Sequence, residues 1–243
     1  MTSRPRPDRD AVPGTRVPDD VLRLLARAAG DEKHGPAATS PLDVEWVLYD
    51  RVLRIRPDTV DDPHRDRFIL SKGHGPAGYY AVLAAKGFLD PDLLPGFLGP
   101  DSPLGGHPDR LRIPGVEAST GSLGHGLPLA VGVALGLRAR RSTAHTYVLC
   151  GDAELGEGSN WEAAAVAVAH RVERLTCIVV DNGSRTVQPG AIAPVFAAFG
   201  WGVSTVDGRD HDALGLALRR RYDGRPSLVV ADVRRWYREE EAA

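Results

Sequence analysis

The sequence predicts an α/β fold on a mainly parallel central sheet, and three observations carry that prediction. Two polar turns, Gly151-Asp152-Ala153-Glu154-Leu155-Gly156-Glu157-Gly158 and Asp181-Asn182-Gly183, each close a short apolar run, 147–150 and 176–181. They stand about thirty residues apart, the length of one strand-helix-strand unit, and the Ala-rich segment 159–170 between them supplies the helix. A Gly-rich turn at 121–126 opens a further helix over 127–140. Parallel strands joined in this way bring their polar turns to one carboxyl-terminal edge, where ligands of open α/β sheets bind.

The other elements follow in order. Residues 1–18 are rich in Arg, Pro and Asp with almost no apolar periodicity and are expected to form a flexible N-terminal arm. A single domain is expected over 19–243. Its first helix begins at Asp19, with Val21, Leu22, Leu24, Leu25 and Ala28 on one stripe, and a second spans 41–55, with Val44, Val47, Leu48, Val52 and Ile55 facing inward. A short strand is expected at 67–70 and a helix at 77–86. The Pro- and Gly-rich stretch 90–115 reads as an irregular loop long enough to imply function.

With 243 residues and a formal net charge of -2, the chain can bury a sizeable core and offers no electrostatic reason for a nucleic-acid or anionic-membrane partner. Cys150 and Cys177 fall inside expected buried strands, so packed free thiols and a reducing compartment are expected. No apolar run reaches spanning length, the first twenty residues lack a signal-peptide core, and Asp8 and Asp10 argue against a transit peptide. The expected location is cytoplasmic.

The paired turns carry the chemistry. A carboxylate from Asp152 and a carboxamide oxygen from Asn182 are hard donors suited to Mg²⁺ or Ca²⁺, which complete their shells with phosphate oxygens. A dinucleotide-binding turn fits less well, because the glycine spacing is not G-x-G-x-x-G. A turn that holds no ligand is the plain alternative.

These turns resemble the thiamine diphosphate signature, and from about Leu22 to Val233 the chain is similar to the N-terminal, diphosphate-binding half of the transketolase family. Four more stretches carry the resemblance: Ser71-Lys72-Gly73-His74-Gly75 with Tyr79-Tyr80-Ala81-Val82-Leu83; Gly106-His107-Pro108 with Pro114-Gly115-Val116-Glu117; Ser119-Thr120-Gly121-Ser122-Leu123-Gly124-His125-Gly126; and Phe199-Gly200-Trp201 with Val206-Asp207-Gly208. The resemblance implies the thiamine diphosphate-binding fold, with helices on both faces of the sheet. It assigns cofactor contacts to His74, Gly121, Ser122, Leu123, Gly151, Asp152, Ala153, Glu154, Glu157 and Asn182, and metal contacts to Asp152, Asn182 and Ser184.

His34, His74 and His107 are the catalytic candidates by the same resemblance, since moving hydroxyl protons on a sugar suits imidazoles that titrate near neutrality. His64, His145, His170 and His211 are read as solvated or packed. The implied activity is transfer of a two-carbon ketol unit from a ketose (phosphate) donor to an aldehyde acceptor, with thiamine diphosphate and Mg²⁺ or Ca²⁺. In the family, the glutamate that activates the cofactor's ring lies in a pyrimidine-binding domain, which is expected to lie outside this chain. The resemblance therefore implies a partner subunit carrying that domain, in a heterotetramer of two copies of each chain.

Three departures from the family pattern stand out, the first bearing on the cofactor and the other two on the substrate. Ala153 replaces the second glycine of Gly-Asp-Gly and is tolerable at negative φ. His125 stands where the family has Gln. A Lys-Gly-x-Gly turn and later substrate histidine are absent, and Arg234-Arg235-Trp236-Tyr237-Arg238 followed by Glu239, Glu240 and Glu241 reads as a solvated terminal face. Two other functions stay open: a thiamine-enzyme subunit delivering a two-carbon unit to a carrier-bound acceptor, and a non-catalytic scaffold.

Overall fold

The computed structural model describes residues 12–28, 38–185 and 191–237. Five parallel strands form one sheet in the order β1-β2-β3-β5-β4: β1 (Arg67–Leu70), β2 (Thr146–Gly151), β3 (Leu175–Asp181), β4 (Gly202–Asp207) and β5 (Ser227–Asp232). Every residue of β2 and β3 is buried, as continuous apolar runs covered on both faces require. β4, whose Ser204 and Thr205 interrupt the apolar run, takes the half-exposed edge.

Alternate strand residues feed two cores. Tyr147, Leu149, Ile178, Val180, Val229 and Ala231 pack beneath α1 (Asp19–Arg27), α2 (Leu42–Val47), α3 (Ala77–Ala85) and α7 (His211–Arg219). Val148, Cys150, Cys177, Val179, Leu228 and Val230 pack beneath α4 (Gly126–Ala139), α5 (Gly158–Ala169) and α6 (Ile192–Phe199). Helices thus cover both faces, and the two cysteines are buried free thiols. Among the described residues, no helix is long and apolar enough to cross a membrane.

The second helix differs from the expected 41–55. α2 ends at Val47 and the chain widens into a π turn over Leu48–Val52, leaving Val52 and Ile55 only half-buried. The stretch 90–115 contains a 3-10 turn at Pro91–Gly96 and buries Leu94, Phe97, Leu104 and Ile113, so it is a packed cover rather than a free loop. Strands β4 and β5 and helices α6 and α7 extend the sheet beyond the elements read from periodicity.

The charged C-terminal run is a correction to the solvated reading, as far as Tyr237. Residues Arg234–Tyr237 form a short helix, α8; Arg234 pairs with Asp232, and the Tyr237 hydroxyl accepts from Arg209 Nη2 at 2.8 Å. Residues 238–241 lie outside the described residues. Arg209, 1% exposed, also donates to Asp43 Oδ2 at 2.5 Å, while His211 Nε2 meets Asp43 Oδ1 at 2.7 Å. Thr15 Oγ1 and the Arg16 N–H complete four donors around this fully buried carboxylate. One charge therefore ties the residues before α1 to α2 and α7.

Burial pushes the Asp43 carboxyl up, but the His211 hydrogen bond, the Arg209 charge and the Arg16 and Thr15 donors together hold it below the ordinary value of 3.8. Asp43→Ala is expected to lower the free energy of unfolding in urea by about 3–5 kcal/mol, because it strands the buried Arg209 cation. A lowered carboxylate stabilises above its ordinary value and loses that contribution as pH falls through its folded value. The melting-temperature gap between wild type and Asp43→Asn should accordingly narrow on acidification below 3.8; a constant gap counts against this account.

Candidate functional site

Four strand ends meet at the carboxyl edge: β1 runs into Ser71-Lys72-Gly73-His74, β2 into Asp152, β3 into Asn182-Gly183-Ser184-Arg185 and β5 into Val233-Arg234. Their register sets Gly151 level with Val180, and Asp181 level with Asp232. Asp152 is 0% exposed, and its Oδ1 accepts from Ser184 Oγ at 2.6 Å. The Ser184 N–H donates to Asn182 Oδ1 at 3.2 Å, so the three expected metal contacts form one chain of hydrogen bonds.

Asp181, read from the sequence only as a strand end, places a second buried carboxylate here. Burial raises its carboxyl, Arg185 and Arg234 oppose that rise, and Asp152 adds to it. Arg185 Nη2 stands 3.7 Å from Asp181 Oδ2 and its Nε 4.0 Å from Asp152 Oδ2. Arg234 Nε lies 3.6 Å from Asp181 Oδ2, while its hydrogen bonds go to Asp232.

Glu154, expected as a cofactor contact, is 1% exposed and its carboxylate is engaged with the chain itself. Oε1 accepts from Ser71 Oγ at 2.5 Å and from the Gly124 N–H at 2.9 Å, and Oε2 from the Gly151 N–H at 3.2 Å. Ser71 Oγ in turn accepts from the Gly126 N–H at 3.1 Å, and a Cβ on Gly126 would lie 2.2 Å from that hydroxyl. The β1 loop, the β2 turn and the start of α4 are thus locked together. Burial raises the Glu154 carboxyl against these donors and Lys72.

Two further residues were not assigned from the sequence. The stem of buried Lys72 packs on Gly151, and Lys72 acts electrostatically on both Glu154 and Glu45. Glu45, 1% exposed on α2, is pushed up to about 8 by burial, with Lys72 opposing. Its one signal in the sequence is a carboxylate inside the apolar run of 44–48.

The rings of His74 and His107 meet edge to face with centroids 4.9 Å apart. The His107 ring lies on Gly121, where φ is +136° and a Cβ would come within 2.0 Å of Cδ2. Tyr80 Oη donates to the Gly105 and His107 carbonyls at 2.9 and 3.1 Å and anchors the loop carrying His107. Ser122 is exposed, Leu123 half-buried, and exposed His125 donates from Nδ1 to the Leu123 carbonyl at 3.2 Å. Ala153 is exposed and avoids positive φ.

Glu157 is exposed beside Gly124 and makes no capping bond to α5. His34 lies outside the described residues. Of the histidines read as packed or solvated, His145 and His211 are buried and His64 and His170 exposed. Among the described residues, no three His, Cys, Asp or Glu side chains cluster as a self-sufficient metal cage. The Asp152 carboxylate with adjoining hydroxyl and carboxamide oxygens fits instead a hard cation completed by ligand oxygens.

Comparisons with known proteins bear on this edge. Residues 20–233 match the family described as transketolase, thiamine diphosphate binding domain. Ferredoxin fas2 of Rhodococcoides fascians is 52% identical over 89% of this chain and 72% of its own length. An apulose-4-phosphate transketolase subunit of Actinobacillus succinogenes is 38% identical over 87% of this chain and 79% of its own. The crystal structure of a Pichia stipitis transketolase variant superposes with a TM-score of 0.75 at 27% identity, covering 92% of this chain. The chain spans only 36% of that protein's length.

Two outcomes are expected at this edge. Gly121→Ala adds a methyl where His107 lies and forces a positive φ on a residue with a Cβ, at a cost of about 1–3 kcal/mol; calorimetric titration with thiamine diphosphate should show weakened binding. For Glu45, the raised carboxyl stays protonated in the folded chain while the unfolded chain ionises. Stability is then lost as pH rises from 4.5 towards about 8. The melting-temperature difference between Glu45→Gln and wild type should grow in favour of the variant between pH 5 and 8; a flat difference would show that Glu45 is not held neutral.

Proposed function

Because the chain belongs to the transketolase thiamine diphosphate-binding domain family, we propose that it is the diphosphate-binding subunit of a two-component transketolase. It transfers a two-carbon ketol unit from a ketose, or ketose phosphate, to an aldehyde in concert with a second subunit. The observation that carries this reading is the convergence of Asp152 and Ser184 with its Asn182 partner, and of His74 with His107 over Gly121, at one edge of the sheet. Its support among relatives is the match to the Actinobacillus succinogenes protein, itself named as one subunit of a transketolase, over 79% of that protein's length.

In this reading Asp152, Asn182 and Ser184 hold Mg²⁺ or Ca²⁺ against the diphosphate, and the Gly121-Ser122-Leu123 turn receives the cofactor's rings. When bound, thiamine diphosphate supplies a carbanion at its thiazolium carbon that can attack a ketose carbonyl. His74 and His107 orient the donor and exchange protons at its hydroxyl oxygens, a role suited to two imidazoles held edge to face. Glu154 positions Gly151 and Gly124 rather than reacting. The partner supplies a pyrimidine-binding domain with its activating glutamate, in a cytoplasmic heterotetramer of two copies of each chain.

Thermal unfolding with thiamine diphosphate, in the presence of the partner subunit, tests the site. A stabilisation that needs Mg²⁺ and disappears in Asp152→Ala is expected, following ligand linkage. Ketol-transfer assays should show no turnover by this chain alone and turnover on adding the partner. Full activity of the single chain would refute the two-component assignment, and metal-independent stabilisation would refute the role of Asp152.

A further inference from the structure

We propose that Arg185 is the resident counter-cation of the carboxylate pair at this edge, displaced when a divalent ion and a diphosphate enter together, so that it couples the binding of the two. The inference rests on the reading of Asp152 as an ion ligand. It goes beyond that reading by assigning a role to a residue that neither the turns nor the family motifs single out.

Two carboxylates, Asp152 at 0% and Asp181 at 4% exposure, sit on adjacent strand tips. Like charges so buried need a compensating cation. Arg234 serves the pair less directly: its Nε and Nη2 are hydrogen-bonded to Asp232, only Nε approaches Asp181, at 3.6 Å, and Asp152 acts on it at longer range. Arg185 does span the pair, at 3.7 Å from Asp181 and 4.0 Å from Asp152. Both separations exceed hydrogen-bond length, so at these two carboxylates the guanidinium is held by charge rather than by directional bonds.

A contact of that kind yields to a stronger cation. A divalent ion binds carboxylate oxygen at about 2.1 Å with twice the charge, which at equal dielectric gives about four times the attraction of a single charge at 4.0 Å. Once the ion is in place, it repels the guanidinium. An ion entering alone therefore forfeits the Arg185 contact with no return. An ion entering with a diphosphate leaves the displaced guanidinium next to anionic oxygens, with which it forms charge-assisted hydrogen bonds. Arg185 thereby penalises the ion alone and favours the pair.

Mn²⁺ serves as the spectroscopic probe, titrated into the full chain assembled with its partner subunit. Binding is followed by the electron paramagnetic resonance signal of the free ion, with and without inorganic pyrophosphate. Arg185→Gln is expected to bind Mn²⁺ alone about tenfold more tightly than wild type. The tightening produced by pyrophosphate should shrink in this variant, and Arg185→Lys, which keeps the charge, should behave like wild type. Equal or weaker Mn²⁺ binding by Arg185→Gln, with Asp152→Asn still abolishing Mn²⁺ binding, overturns the role of Arg185 and leaves the ion site standing. Absence of Mn²⁺ binding in wild type and variant alike, with pyrophosphate present, overturns the ion site and this inference with it.

Discussion

The buried carboxylate of Glu154 is the constraint on which the rest of this edge depends. Three segments distant in sequence meet here, the loop after β1, the turn after β2 and the entry to α4, above the buried Leu155 and Leu127. Glu154 joins them by accepting from Ser71, Gly124 and Gly151. Each bond is shielded from water, so each is worth more than it would be at the surface, and losing one partner would leave a buried charge or acceptor unmet. Because Ser71 passes the contact on to the Gly126 N–H, the orientation of the Gly121 turn and of the His74 loop are set by the same side chain.

Electrostatics at the edge follow from that closure. Drawing the strand ends together buries Asp152 and Asp181 side by side, and the chain answers with Arg185 and Arg234. Lys72 acts on both Glu154 and Glu45 and packs along Gly151. The turn that presents Asp152 is therefore flanked by cations from two different loops, which keeps a concentrated negative charge in a nearly dry site without a bulk counter-ion. A second buried charge centre, Asp43 with Arg209 and His211, performs the structural counterpart of this task beyond the end of β4, fastening α2 and α7 over the first core.

Much of this was legible in the residues. The strands β1, β2 and β3 and helices α1, α3, α4 and α5 follow from apolar runs of the right length closed by glycine or charged turns, because a strand buried on both faces and a helix on a sheet leave strong local patterns. Although the ring contact of the two histidines and the Ser184 link came only with the structure, the stretches that bear His74, His107, Asp152, Asn182 and Ser184 were anticipated from motif order. The break of 41–55 into α2 and a π turn was not, since the apolar stripe continues across it. Nor was the docking of Tyr237 on Arg209, because a run of charge reads as solvated until its partners are known.

What the sequence by itself determined is the alternation of elements and the chemistry of each strand-end turn, properties that depend on neighbours a few residues away. Tertiary structure alone decided which charges face one another: Glu154 with Ser71, Arg185 with Asp152 and Asp181, Arg209 with Asp43. Those pairings span up to 166 residues and arise from strand order and register. They leave no periodicity in the chain, because a buried charge is selected by its partner's position in space rather than by its own sequence surroundings.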